Sequence, residues 1–222
     1  MTPPILSLTH LAQPPRQWVS GKPPLLLLLH GVGSHEQDLF GLAPSLDPRF
    51  FIVSARAPVM LGPGAYGWYR VQWTDAGPQH VPAEAEAGRV AASRFIAEAV
   101  AAYGLDAGRV YVMGFSQGAI TALSLALTEP RKTAGAVVMS GRLLPEVAAH
   151  IHSQALADYP FFVAHGTQDT VLPLEYGREI RDALSALPVD LTYREYAMAH
   201  GISPQSLDDS SAWLSARLDT PK

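Results

Sequence analysis

The segment Gly114-Phe115-Ser116-Gln117-Gly118 constrains this 222-residue chain more than any other, because of what flanks it. Arg109-Val110-Tyr111-Val112-Met113 precedes it, a β-branched apolar run that reads as a buried strand. Ala119 to Leu127 follows, rich in alanine and leucine and free of Gly and Pro, and reads as a helix. A chain that passes from strand to helix within one residue holds that residue in a strained conformation, at a cost of about 1–3 kcal/mol. The flanking glycines let strand and helix approach closely. Such a turn lifts the Ser116 hydroxyl clear of a sheet, beside the amide that opens the helix, and presents it as a nucleophile. Taken alone, Gly-x-Ser-x-Gly also fits a glycine-rich turn with a capping serine, so its partners must decide.

Eight strands can be marked. Ile5 to His10 and Gln17 to Val19 are weak and read as an edge pair within a Pro-rich lead-in over residues 1–24. Leu25 to Leu29, Phe50 to Ser54, Arg109 to Met113, Ala134 to Met139, Phe161 to His165 and Leu191 to Tyr196 are stronger. The middle ones are apolar throughout, as strands covered on both faces are. Helical patterns alternate with them at Glu84 to Tyr103, Leu174 to Leu187 and Ser206 to Leu218. Gly104 stands just beyond the first as a stop signal. The expected class is α/β, one domain over residues 1–222, with a mostly parallel sheet and right-handed crossovers. Ligands then belong at the carboxyl ends of the strands.

Polar residues follow strands at four places: His30-Gly31-Val32-Gly33, Ser116, Gly166-Thr167-Gln168-Asp169 and Ala197-Met198-Ala199-His200-Gly201. The order is Ser, Asp, His, each on a loop at one rim. A serine hydroxyl is a poor nucleophile unless a base within reach takes its proton. His200 suits that task, since an unperturbed imidazole titrates near pH 6.5. Asp169 would accept the other ring N–H and fix the tautomer. His10, His35, His80, His150 and His152 follow no strong strand, Asp182 lies mid-helix, and Asp190 falls at the opposite rim. A tetrahedral intermediate also needs prearranged donors for its oxyanion. The Gln117 amide opens the elbow helix, and the Gly31-Val32-Gly33 turn can aim the Val32 amide inward. These are backbone roles, in which the two side chains matter little.

Composition excludes other chemistries. With no cysteine the chain has no disulfide, thiol nucleophile or thiolate metal site. A net charge of −4 carries no basic stripe for nucleic acid. The start lacks the basic and apolar regions of a signal peptide, and the longest apolar run, Leu25 to Leu29, is too short for a bilayer, so no membrane insertion and a cytoplasmic location are expected. Ser34-His35-Glu36-Gln37 matches a capping box with Asp38 in the first turn of a short helix, which accounts for that polar cluster without a metal. Ser140-Gly141 reads as a turn bordering the site.

Four blocks now stand together: Leu29-His30-Gly31-Val32-Gly33-Ser34, Gly114-Phe115-Ser116-Gln117-Gly118-Ala119, His165-Gly166-Thr167-Gln168-Asp169 with Val171-Leu172-Pro173, and His200-Gly201. They resemble the α/β-hydrolase superfamily, and more closely its phospholipase/carboxylesterase branch, which includes acyl-protein thioesterases. The resemblance spans Leu25 to Leu218. It implies an α/β-hydrolase fold with an eight-stranded, mostly parallel sheet flanked by helices on both faces. It also implies a Ser116–His200–Asp169 triad, an oxyanion hole from the Val32 and Gln117 amides, and ester or thioester hydrolysis without a cofactor. Dienelactone hydrolases, otherwise similar, use a cysteine nucleophile that this chain lacks. The Gly/Pro/aromatic segment from Ala57 to Gln79 departs from the acyl-protein enzymes.

The chain leaves no room for a large cap domain. Two irregular stretches, Ala57 to Pro82 and Gly141 to Tyr159, could cover the mouth. Trp68, Tyr69 and Trp73 in the first suit the wall of an acyl or aryl subsite, or else they pack the loop onto the sheet. Arg70 could meet an anionic substrate, but reads more readily as half of a surface ion pair. The expected substrate is a small to medium acyl ester, with thioester, lysophospholipid or a non-catalytic ligand as alternatives. The oligomeric state, a homodimer included, stays open.

Overall fold

Five consecutive leucines, Leu25–Leu29, lie fully buried in a seven-stranded sheet. The structure, a computed structural model, describes residues 5–75 and 77–219. In chain order the elements are β1 (His10–Gln13), β2 (Leu25–Leu29), α1 (Gln37–Phe40), β3 (Phe51–Ala55), the hairpin β4 (Val59–Gly62) and β5 (Ala65–Gly67), and the hairpin β6 (Val71–Thr74) and β7 (Gly77–His80). There follow α2 (Pro82–Tyr103), β8 (Val110–Phe115), α3 (Gln117–Thr128), β9 (Gly135–Met139), β10 (Pro160–Gly166), α4 (Leu174–Ser185), β11 (Asp190–Tyr196) and α5 (Pro204–Asp219).

The main sheet runs β1-β3-β2-β8-β9-β10-β11, parallel except for β1 against β3. Successive side chains on a strand point to opposite faces. Leu25, Leu27 and Leu29 therefore enter one apolar cluster, with Phe95 and Ile96 of α2, the buried face of α3, and Ile180 and Leu184 of α4. Leu26 and Leu28 enter the other, with Leu39 of α1 and Trp213 and Leu214 of α5. Each buried leucine contributes roughly 1.5–3 kcal/mol. Helix α3 is buried from Gln117 to Leu127, which explains an apolar sequence without a polar stripe. Helix α2 begins at Pro82 and ends at Gly104, whose left-handed backbone (φ 66°) donates its N–H to Val100.

Strand β2 pairs with β3 on one side and with β8 on the other. The chain thus reverses its direction of travel across the sheet at this point, the place where an open α/β sheet takes its ligands. Gly31 and Ser116 follow β2 and β8 there.

The expectations for the number of strands, for the edge strand and for the stretch after β3 need correction. The sheet has seven strands among the described residues, not eight. Gln17 to Val19 is not a strand: Pro14 and Pro15 end the edge strand by removing backbone donors, and the Gln17 amide bonds Pro48 instead. The edge strand itself begins at His10, with Leu8 tucked into the core ahead of it. In addition, the stretch from Ala57 to Pro82 contains two short hairpins where irregular chain was expected.

Candidate active site

Ser116 stands between β8 and α3 with φ 53° and ψ −118°, a backbone that L-residues avoid. Close packing enforces it. A Cβ on Gly118 would lie 1.9 Å from the Leu29 carbonyl oxygen, and one on Gly114 would lie 2.2 Å from the Gly118 carbonyl oxygen. The Ser116 amide bonds the Met139 carbonyl, which anchors the turn to β9.

Asp169 and His200 arrive from the ends of β10 and β11. These loops are stitched together by Thr167 N–H to Tyr196 and Gln168 N–H to Met198, at 2.8 and 3.1 Å. Gly166 permits the approach, since a Cβ there would stand 2.4 Å from the Met198 carbonyl oxygen. One Asp169 oxygen accepts the amides of Val171 and Leu172 at 2.9 and 2.8 Å. The other lies 2.7 Å from His200 Nδ1. His200 Nε2 lies 2.9 Å from Ser116 Oγ. With the carboxylate accepting at Nδ1, the Nε2 lone pair is left for the serine proton. Phe115 packs its ring on the imidazole, with centroids 4.9 Å apart. Buried His165 donates Nε2–H to the Leu172 carbonyl at 2.8 Å and so supports the acid loop.

Gly31 lies directly against the serine: a Cβ there would be 3.3 Å from Ser116 Cβ. The next amide, that of Val32, has no acceptor among the described residues. The Gln117 amide is the first of α3, and leading helix amides lack partners within the helix. The sequence reading missed the Gln117 side chain, which is buried and makes two hydrogen bonds. Its Oε1 accepts the Trp68 amide at 2.7 Å, and its Nε2 donates to the Tyr69 carbonyl at 2.8 Å. No local residue pattern signals this, because its partners lie 49 and 48 positions away in the chain.

Trp68 and Tyr69 must be withdrawn as substrate contacts. They are 0% and 1% exposed, because the loop turns both rings into the core beneath it. Burial also pushes the Tyr69 phenol pKa up. Trp73 behaves differently. It is 55% exposed on the second hairpin and lines a cleft of about 540 Å³ with Pro78, Thr170, Val171 and Tyr176, beside the acid loop.

The model of the family described as "Phospholipase/Carboxylesterase" matches residues 20–218. The chain belongs to that family. It is 32% identical to acyl-protein thioesterase 1 of Eremothecium gossypii over 124 residues, which are 54% of this chain and 53% of that one. In that alignment the chain spans about half the length of its curated relative. Esterase PE8 superposes with a TM-score of 0.79 at 25% identity, covering 95% of this chain and 99% of that one. The carboxylesterase of Bacillus cereus shares the fold, with a TM-score of 0.80 at 23% identity and 95% of each chain covered.

In this member of the phospholipase/carboxylesterase family the polar cluster after Gly33 is arranged unlike a capping box. The short helix α1 starts from Glu36 without a side-chain cap. Ser34 instead donates to Asp38 at 2.6 Å, while Glu36 turns inward to Arg56. Two charge-assisted hydrogen bonds from Arg56, at 2.5 and 2.6 Å, hold the Glu36 carboxyl below its ordinary 4.5. The Arg56 guanidinium also lies 4.5 Å from the centre of the Tyr66 ring. A depressed carboxyl contributes stability in full above its unfolded pKa and loses it as pH falls through the folded value. Glu36→Gln is therefore expected to lower stability by about 1–3 kcal/mol at pH 7, since it leaves a half-buried guanidinium poorly paired. The gap from the unsubstituted chain should shrink below pH 4.5. Denaturant unfolding at pH 7 and at about pH 4 checks this; an equal gap at both would refute it. Arg70, as expected, pairs with a surface carboxylate, Glu84 at 3.0 Å.

Proposed function

We propose that the chain is a serine hydrolase that cleaves small to medium carboxylic esters through an acyl-enzyme. The observation that carries this reading is the line from Asp169 through His200 to Ser116, with contacts of 2.7 and 2.9 Å ending on a strained elbow. Ser116 Oγ attacks the ester carbonyl as His200 Nε2 takes its proton. Asp169 holds the imidazole in place and stabilises its cationic form. The Val32 and Gln117 amides receive the oxyanion. The imidazolium then protonates the departing alcohol. A water molecule, deprotonated by the same nitrogen, attacks the acyl carbonyl and releases the acid and Ser116.

A second reading, thioester hydrolysis, is favoured by relatives named acyl-protein thioesterase. Both use the same residues and differ in the leaving group. Fluorophosphonate labelling together with matched oxygen esters and thioesters of graded chain length tests both. Labelling at Ser116 with faster turnover of the oxygen esters is expected. Faster turnover of thioesters would select the second reading, and absence of labelling would end both.

The partner in this reading is a small-molecule ester. The reaction uses no cofactor, nucleic acid or membrane insertion, and we place it in the cytoplasm. Among the described residues no helix is long and apolar enough to cross a membrane. Exposed Trp73 forms part of the acyl or aryl subsite. Trp73→Ala is then expected to raise KM about 5–10-fold for medium-chain esters, or about 1–1.4 kcal/mol. Acetate esters, too short to reach the ring, should change less than about twofold. Equal changes at every chain length would remove Trp73 from the subsite.

A further inference from the structure

We propose that Trp68 and the side chain of Gln117 are positioning residues that hold the two halves of the oxyanion cradle in register. The inference rests on the serine-hydrolase reading and goes beyond its reacting groups.

The two cradle amides come from turns far apart in the chain. Val32 follows β2, and Gln117 opens α3. The first turn is flanked by Gly31 and Gly33, and Gly33 has φ 81°. Such a turn has little stiffness of its own. A catalytic donor is effective only if its direction is set before the charge develops. Something outside the turn must fix it relative to the helix.

The segment from Tyr66 to Tyr69 touches both sides. The Tyr66 carbonyl accepts the Gly33 amide at 2.8 Å, and the Tyr66 amide donates to the Ser34 carbonyl at 2.9 Å. The Trp68 indole N–H donates to the His30 carbonyl at 3.0 Å. Those bonds hold the cradle turn on either side of Val32. The same segment reaches Gln117 through the Trp68 amide and the Tyr69 carbonyl, at 2.7 and 2.8 Å. Both polar ends of the Gln117 side chain are thereby satisfied, and the residue whose amide faces the oxyanion cannot swing. The segment is itself wedged. A Cβ on Gly88 of α2 would stand 2.3 Å from the Trp68 carbonyl oxygen, and one on Gly67 would stand 3.1 Å from Gln117 Oε1. Trp68, at 0% exposure, is thus the brace between the two donors.

His30 completes the arrangement. Its Nδ1–H donates to the Gly31 carbonyl at 2.7 Å, and its Nε2 accepts the Ala57 amide at 3.0 Å. The turn is held at His30, at Gly31 and at Gly33–Ser34. The Val32 amide stands between these points with no acceptor of its own among the described residues.

Two variants test the inference. Trp68→Phe keeps an aromatic ring in the buried slot, removes the bond to His30 and leaves a small void where the rest of the indole stood. Gln117→Met keeps chain length and removes both bonds to the segment. Each is compared with the unsubstituted chain on an oxygen ester and on its thiono counterpart, in which sulfur replaces the carbonyl oxygen. Sulfur fits and bonds an oxyanion cradle poorly, so the oxo-to-thiono ratio of kcat/KM reports how well the donors are aimed. The expected result is a loss of about 10–100-fold in kcat on the oxygen ester, with KM within about threefold. The ratio should fall by about fivefold or more. If Gln117→Met does not fold, Trp68→Phe carries the measurement.

A merely structural role predicts something else: fewer active molecules and a lower melting temperature, with the ratio unchanged in the folded fraction. An unchanged ratio in a folded variant overturns the inference and leaves the hydrolase reading standing. Failure of the unsubstituted chain to react with fluorophosphonate overturns both.

Discussion

Ser116→Ala is expected to lower kcat for ester hydrolysis by about 10⁴-fold or more while leaving the chain folded. In the proposed mechanism the hydroxyl, 2.9 Å from His200 Nε2, is the atom that attacks, and alanine has no replacement for it. The proposed oxyanion cradle and substrate site survive the change, so a small residual rate over water is expected to remain. The substitution leaves the elbow strained, because alanine at φ 53° carries the same Cβ. Ser116→Gly should be equally inactive yet more stable than Ser116→Ala. Glycine accepts this backbone and releases strain worth about 1–3 kcal/mol. In a chain of this size 1 kcal/mol moves the melting temperature by about 2–4 °C. Activity near that of the unsubstituted chain in either variant would exclude the mechanism. A glycine variant that melts below the alanine variant would exclude the strain.

The second large effect is on folding. Gly118→Ala is expected to destabilise the chain by more than about 4 kcal/mol. The added Cβ would stand 1.9 Å from the Leu29 carbonyl oxygen, 2.4 Å from its carbon and 2.7 Å from the His30 carbonyl oxygen. All three are backbone atoms of a buried strand and its end, so no side chain can swing aside. Relief would require α3 to lift from β2, which opens the core that Ile120, Leu123 and Leu127 share with Leu25 and Leu27. Gly201→Ala provides the contrast: a Cβ there meets nothing within 4 Å. Its stability should stay within about 0.5 kcal/mol. Denaturant midpoints of the two variants check both statements; equal midpoints would show that the contact at Gly118 does not govern packing.

Much of the architecture is legible in residue pattern because it follows from local physics. The runs Leu25–Leu29 and Val110–Met113 are apolar on both faces, and only a strand covered on both sides accepts that. Gly104 marks the end of α2 by adopting the left-handed backbone that a helix stop requires. The weak edge was misplaced, because a half-buried strand of mixed residues such as His10–Gln13 carries no periodic signal. The hairpins after β3 were missed for a related reason. Their strands are three or four residues long, too short to show alternation among Gly and Pro.

The candidate site divides in the same way. The order of Ser116, Asp169 and His200, each after a strand, places them at one rim through chain direction alone. Their convergence within hydrogen-bond reach is a property of the folded chain. The orientation of Trp68 and Tyr69 could not be read in advance, since an aromatic residue in a loop suits a pocket wall and a buried plug equally well. The Gln117 side chain seemed idle until the 68–69 segment came to rest on it.

Residue pattern by itself determined the alternation of strands and helices, the strained serine turn and the rim on which the reactive groups gather, because these depend on neighbours in the chain. Only the tertiary structure decided which aromatic rings face inward, which segment bonds both the Gly33–Ser34 turn and the Gln117 side chain, and where the sheet ends. Those outcomes depend on contacts between segments distant in sequence, and such contacts form only when the helices close over the sheet.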